Sequence, residues 1–237
     1  MTPVAWSFSR LQAYRQCPYK YYRMNMLSKQ DPDRVDPYAS PSEAMLEGDR
    51  MHKSFENSIM HGVKLDPKYE KHNDKITALR QLTLEGKVVA CEREMAISTG
   101  LKSVSWFSKQ AWGRAKADVE IKNMSASRPA GEHALTYIDW KSGKVRDDWM
   151  PQGAAMAAVA FCVYPSVQQV AWKVDYVNYD TIKEAVYERD ALANIFAPIL
   201  RTVKDITESV KSGDWEMRET GLCGWCPVTD CPNWRQR

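Results

Sequence analysis

Hydrophobic positions along the chain repeat with two spacings, one helical and one extended. From Ser7 to Met26, SFSRLQAYRQCPYKYYRMNM has the spacing of a helix capped by Ser7 or Ser9, with Leu11, Tyr14 and then Tyr21 or Tyr22 facing inward. Cys17-Pro18 interrupts it, because proline lacks an amide hydrogen and disfavours helix at the residue before it. Gln30 to Ser40 is polar, contains proline and reads as a loop. Ser40-Pro41-Ser42-Glu43 is a capping box with proline at the first helical position, opening a helix to about Met60. Its inward stripe is Ala44, Gly48, Met51, Phe55 and Ile59; His52 lies beside the stripe with Glu56 one turn on. Asp74 to Glu85 is a shorter amphipathic helix ended by Gly86. His61 and His72, near segment ends, are expected in solvent, and Tyr14 is expected in the core.

Strand spacing follows. Lys87 to Ser98 alternates, with Val89, Cys91, Met95 and Ile97 on one face and Glu92 and Glu94 on the other. A solvated or ion-paired face is the ordinary reading of the two glutamates; one of them reaching a metal is the alternative. Trp112 to Lys122 alternates too, with Gly113, Ala115, Ala117, Val119 and Ile121 expected on one face and Arg114, Lys116, Asp118 and Glu120 on the other. Leu135 to Ile138 has the content of a buried strand, ended by Asp139-Trp140-Lys141 and turned by Ser142-Gly143. Asp147 to Tyr164 is a small-sided helix, capped by Asp147 or Asp148, with Pro151 in its first turn. Val167 to Tyr179 is a strand with Val170, Trp172, Val174 and Tyr176 on one face. Ala191 to Ser212 is the last helix, with a kink expected at Pro198. Alternating strands and helices make the fold class α/β, a central mixed sheet flanked by helices.

Composition narrows the class. The 237 residues are 44% hydrophobic, enough for a large core and a single domain over 1–237. No apolar run reaches membrane-spanning length, and the start lacks the layout of a secretory signal. The expected location is therefore the cytoplasm, a host's if the chain is phage-encoded. Disulfides are disfavoured there, so six cysteines ask for metal ligation. A net charge of +3 permits a nucleic-acid partner without arguing for one. No phosphate-binding GxxxxGK[ST] loop is present, which excludes a nucleotide-driven motor of that type.

Two constellations carry chemistry. In an extended chain Asp139 and Lys141 share a face, with Trp140 on the other. A carboxylate for a divalent cation beside an ammonium for a water suits attack on a phosphodiester; for so short a tripeptide, a strand-end salt bridge is the ordinary alternative. Asp118 precedes Asp139 by 21 residues (139 − 118), room for a hairpin that brings both aspartates to one edge. Arg114, Lys116, Lys144 and Arg146 flank this centre in sequence and suit phosphate steering. The second constellation is the tail GLCGWCPVTDCPNW. Cys223, Cys226 and Cys231 offer three thiolates, and Cys17 is the obvious fourth, joining the two ends of the chain around zinc or an iron–sulfur cluster. Cys91 and Cys162 lie among apolar residues and read as inert.

Taken together, SFSRLQAYRQCPYKYY, GDRMHKSFE, GRAKADV, YIDWKSGK, QGAAMAAVAF and CGWCPVTDC, in that order, resemble the PD-(D/E)XK nuclease superfamily. The closest branch is the RecB-like one whose members clamp an iron–sulfur cluster with cysteines from both ends, as in AddB-type and CRISPR-associated adaptation nucleases. The resemblance implies a restriction-endonuclease-like sheet. It makes His52, Asp118, Asp139 and the main-chain carbonyl of Trp140 ligands of Mg²⁺ or Mn²⁺, and Lys141 the group that positions and activates water. Gln152 would orient Lys141 or a phosphate. Cys17, Cys223, Cys226 and Cys231 would hold a structural [4Fe–4S] cluster, with zinc as the alternative. The family often has a tyrosine four residues after the glutamine; here that position is Met156.

The expectation is a metal-dependent DNA nuclease, an exonuclease rather than an endonuclease, acting on single- or double-stranded ends in recombination, repair or processing. A helicase or recombination protein is the expected partner, and no membrane is involved. The competing readings are a DNA-binding scaffold subunit that keeps fold and cluster without turnover, and a zinc-stapled protein of unrelated function.

Overall fold

The computed structural model describes residues 4–36, 41–85, 87–123 and 134–235. The chain runs β1 (Trp6–Ser7), α1 (Phe8–Gln16), α2 (Pro18–Tyr21), a π-helical turn (Tyr22–Met26), α3 (Glu43–His61), a 3₁₀ segment (Pro67–His72), α4 (Asn73–Leu84), β2 (Val88–Ile97), β3 (Ser103–Val104), β4 (Gly113–Lys122), β5 (Leu135–Lys141), α5 (Trp149–Val163), β6 (Gln169–Tyr176), β7 (Thr181–Glu188) and α6 (Leu192–Ser212). The strands form one mixed sheet in the order β3-β2-β4-β5-β6-β7, and β1 pairs with β4. β1–β4 and β5–β6 are parallel; the other pairs are antiparallel. α5 is the crossover between the parallel strands β5 and β6.

Helices cover both faces, as the α/β reading requires. One core packs residues of α1, α5 and α6 against Tyr137, Val170, Trp172 and Val174. The other packs Met51, Phe55 and Ile59 of α3, with Ile76 and Leu79 of α4, against Val89, Val119 and Trp140. α5 is buried from Ala155 to Phe161, which its alanines permit. At Gly153 a Cβ would come within 2.4 Å of the Trp172 ring, so the close approach of helix and sheet depends on that glycine.

Several local expectations change. α3 is capped by Ser42, whose side chain accepts from the Met45 N–H; Pro41 therefore precedes the helix, and Ser40 lies outside the described residues. Ala44 is exposed, as are its neighbours from Pro41 to Leu46. His72 is buried, its ring 5.6 Å from that of Phe55, rather than solvated. Cys17 is extended between α1 and α2, as a residue before proline should be. β7 completes a hairpin with β6 that the alternation had not marked; none of its eight residues is buried. Pro198 sits inside an unbroken α6. The connection from β4 to β5 falls largely outside the described residues.

The largest departure is in β2 and β4. Ala115 and Ala117 pack into the core under α5, whereas Val119 and Ile121 pack under α3 and α4. Met95 and Ile97 likewise lie on the opposite face from Val89 and Cys91. Residues two apart in a regular strand share a face, so both strands turn over between these groups. The turning point is Glu92, whose φ of 53° is left-handed. The ladder pairs Cys91 with Val119 and Arg93 with Ala117, and passes over Glu92 opposite Asp118 (92 + 118 = 91 + 119).

Candidate active site

That turning point is where the acidic side chains converge. The β4–β5 ladder pairs Val119 with Ile138, so its next step sets Asp118 opposite Asp139 (118 + 139 = 119 + 138). In place of a ladder bond, the Trp140 N–H donates to Asp118 Oδ2 at 2.7 Å. α3 carries His52 over this edge; Nδ1 lies 3.4 Å from Asp118 Oδ1 and 4.0 Å from Glu92 Oε1. Each of His52, Glu92 and Asp118 offers one ligand atom, and the three atoms lie within 4.8 Å of one another. Two donors bound to one ion at about 2.0–2.3 Å stand at most roughly 4.6 Å apart, so the trio is nearly closed around a cation already. Among the described residues it is the one group of three or more with this spacing. The His52 imidazole is opposed by burial but favoured by Asp118, Asp139 and Glu92, and the carboxylates win, raising its pKa. A cation would take over that role. Glu56 pairs with Lys53 and not with His52.

Asp139 and Lys141 share a face as expected, with Trp140 turned to the opposite core beside Phe55. Lys141 Nζ lies 2.7 Å from Asp139 Oδ2, and the Gln152 amide donates to Oδ1 at 2.9 Å. The ammonium is off the hydrogen-bond direction, so Oδ2 is a buried carboxylate oxygen with an ion pair but no aligned donor. Burial first, and Asp118 second, push the Asp139 carboxyl up to about 6, against the pull of Lys141 and His52. Burial opposes the Lys141 ammonium, but Asp139 outweighs it and raises its pKa. A buried carboxylate whose pKa stays raised despite its Lys141 ion pair, opposite Asp118 of the neighbouring strand, fits a divalent cation.

The ends of the chain meet elsewhere. Cys17, Cys223, Cys226 and Cys231 line one cavity, and none forms a disulfide. The Arg218 N–H points to Cys17 Sγ at 3.4 Å and the Thr220 N–H to Cys223 Sγ at 3.3 Å. Burial raises the Cys226 thiol, with Cys17 and Cys231 adding to it. Around the cavity, Tyr19 N–H donates to Glu216 O, buried Arg23 pairs with Asp230 at 3.0 Å, and Trp215 stacks on Tyr22.

The sequence profile of the PD-(D/E)XK nuclease superfamily matches residues 5–231. The chain belongs to this superfamily. Its members are metal-dependent nucleases, which the His52–Glu92–Asp118 cluster suits. No curated protein matches the chain. Three crystal structures share distant likeness. LHK-Exo in complex with dAMP is 12% identical over 89% of this chain and 90% of that one, with a TM-score of 0.35. SSO0001 is 16% identical over 81% and 98%, at 0.34. The alkaline exonuclease LHK-Exo from Laribacter hongkongensis is 10% identical over 88% and 90%, at 0.34.

Of the PD-(D/E)XK residues expected from the sequence, the structure gathers Asp139, Lys141 and Gln152 in one contact group and His52 with Asp118 in another. The Trp140 N–H joins the two groups through Asp118. Glu92, one of two glutamates left with an open role, joins His52 and Asp118 in the group of side chains that could hold a metal ion. Strand alternation set it apart from Cys91; its left-handed backbone, which no pattern of residue types announced, brings it to the site.

Proposed function

We propose that this nuclease is a Mg²⁺- or Mn²⁺-dependent deoxyribonuclease of the RecB-like branch, working at DNA ends as an exonuclease. The observation that carries the reading is the adjacency of the His52–Glu92–Asp118 trio to an Asp139 carboxylate held between Lys141 and Gln152. His52, Glu92, Asp118 and Asp139 would hold the cation. In an extended strand the N–H and C=O of one residue face the same neighbour, so the Trp140 carbonyl accompanies its N–H toward Asp118 and adds a further oxygen. The bound cation supplies charge neutralisation at the phosphate and acidifies water. With a cation held there, Lys141 would orient the attacking water and stabilise the hydroxide left when its proton passes to solvent, while Gln152 fixes the carboxylate plane of Asp139. Two backbone N–H groups aimed at cysteine sulfur, in a cavity that all four side chains line, support ligation by Cys17, Cys223, Cys226 and Cys231. A structural [4Fe–4S] cluster is the proposed occupant and zinc the alternative. The unit acts as one domain in cytoplasmic recombination, repair or DNA processing, alongside a helicase or recombination protein.

The test compares wild type with Asp139→Ala on end-labelled single- and double-stranded DNA with Mg²⁺ or Mn²⁺. Wild type should release nucleotides only with metal, and the variant should lose at least about 100-fold of the rate, the scale of removing a charge-stabilising group. Equal digestion by both proteins, or none by either, refutes the reading.

A further inference from the structure

Two clefts meet at the proposed centre, and their chemistry is opposite. The first, of about 430 Å³, holds His52 and the carboxylates Asp49, Glu56, Glu92 and Asp118. The second, of about 520 Å³, opens between the start of α1, the loop from β3 to β4, and α5. Its charged lining is Arg10, Arg114 and Lys116, and no carboxylate lines it. Lys116 belongs to both clefts and ion-pairs with Glu92. Gln152, at the inner end of the second, donates to Asp139. A cationic trough thus leads directly to the acidic cluster.

Trp106 is among the rings that line this cleft, and Phe107 follows it in the chain without lining it. Trp106 is held by Arg114, whose guanidinium lies 5.7 Å from the ring centre and donates to the Trp106 carbonyl at 3.0 Å. Phe107, next in the chain, is 89% exposed, more than any other large apolar side chain described. A phenyl ring in water costs free energy unless something covers it. Bases inside a duplex are already stacked on one another, so a protruding ring gains nothing from them. An unpaired base offers a free face, and stacking on it contributes about 1–3 kcal/mol.

Resting on the nuclease reading above, we propose that this second cleft binds an unpaired DNA strand. Its phosphates pass Arg10, Arg114 and Lys116 toward Asp139, and its bases stack on Phe107 and Trp106. The substrate class is therefore a single strand, or a duplex end that has been frayed.

The experiment measures fluorescence anisotropy of labelled dodecameric oligo(dT) and of a blunt duplex of equal length, with the full chain and with Ca²⁺ replacing Mg²⁺ to hold back hydrolysis. Wild type should prefer the single strand. Phe107→Ala should weaken single-strand binding roughly 5- to 100-fold, with Phe107→Trp restoring it. Arg10→Ala should flatten the dependence of log affinity on log salt by about 0.7, the loss of one phosphate contact on a single strand, whereas Phe107→Ala should leave that slope unchanged. Equal affinity for both DNA forms, or unchanged oligo(dT) affinity in Phe107→Ala, overturns the proposal and assigns the ring to another partner. Hydrolysis of the same oligonucleotides in Mg²⁺ reports separately on the nuclease reading. Cleavage without strand preference keeps that reading and sinks the cleft; strand-selective binding without cleavage does the reverse.

Discussion

At the scale of single residues the site is governed by the discomfort of Asp139. Its carboxyl, ordinarily near 3.8, is raised to about 6 because burial and Asp118 outweigh Lys141 and His52. A carboxyl with a raised folded-state pKa favours folding while protonated, and that contribution is lost as pH rises through the folded value. In chelator, Asp139→Asn should therefore melt above wild type at pH 8, with the gap narrowing below about pH 6 and closed near pH 3.8. Added Mn²⁺ should raise the melting temperature of wild type at pH 8 and leave the variant nearly unmoved. Coincident melting of the two proteins across this range would mean that Asp139 sits in a water-like setting. The pairing of Asp139 with Lys141 was legible in the tripeptide, because strand geometry alone puts residues two apart on one face. The unrest of the carboxylate was not, since burial is a property of the layers above and below it.

At the scale of elements, the question is how two antiparallel strands present acids instead of a ladder. The pair β2–β4 turns over at Glu92 and Asp118, and the pair β4–β5 ends one step before Asp118 and Asp139. Backbone groups freed from pairing leave room for side chains to converge. A left-handed φ at a glutamate costs about 1–3 kcal/mol, and glycine adopts it without that penalty. Glu92→Gly should thus be no less stable than wild type in chelator, and more stable by up to roughly 1 kcal/mol. It should also lose most of the stabilisation that Mn²⁺ brings. A large loss of stability without metal would show that the glutamate side chain, not the strand, supports the fold. Helix and strand identities could be read from spacing, and the hairpin of Asp118 and Asp139 from their separation. The change of face within β4 could not, because Gly113, Ala115, Ala117, Val119 and Ile121 alternate without a break, and the left-handed angle beside it belongs to Glu92 of the neighbouring strand. β1 and β3, two residues each, are too short for any period to register.

At the scale of the whole molecule, the two ends of the described chain lie together around four cysteines. Protein purified without oxygen should carry about four iron and four sulfide, and a colourless protein with zinc alone would select the other occupant. Cys226→Ser should lower the melting temperature and make the segment after α6 the first site of limited proteolysis, while the sheet stays resistant. Unchanged melting and proteolysis would make the thiols bystanders. Their convergence was legible from ligand number, since three thiolates want a fourth. The clasp around them was not: Arg23 with Asp230 and Tyr19 with Glu216 are pairings that only the closed chain defines.

This closure sets an order on biosynthesis. Cys231 leaves the ribosome 214 residues after Cys17 (231 − 17), roughly ten to forty seconds later at about 5–20 residues per second. During that interval Arg23, nearly buried in the finished fold, has no Asp230 to meet, and β1 waits for β4 to emerge before it can pair. The segment from Trp6 to Met26 is therefore made long before it can be secured, so that any ion the four cysteines would hold could be enclosed only after translation of residue 231, not during it.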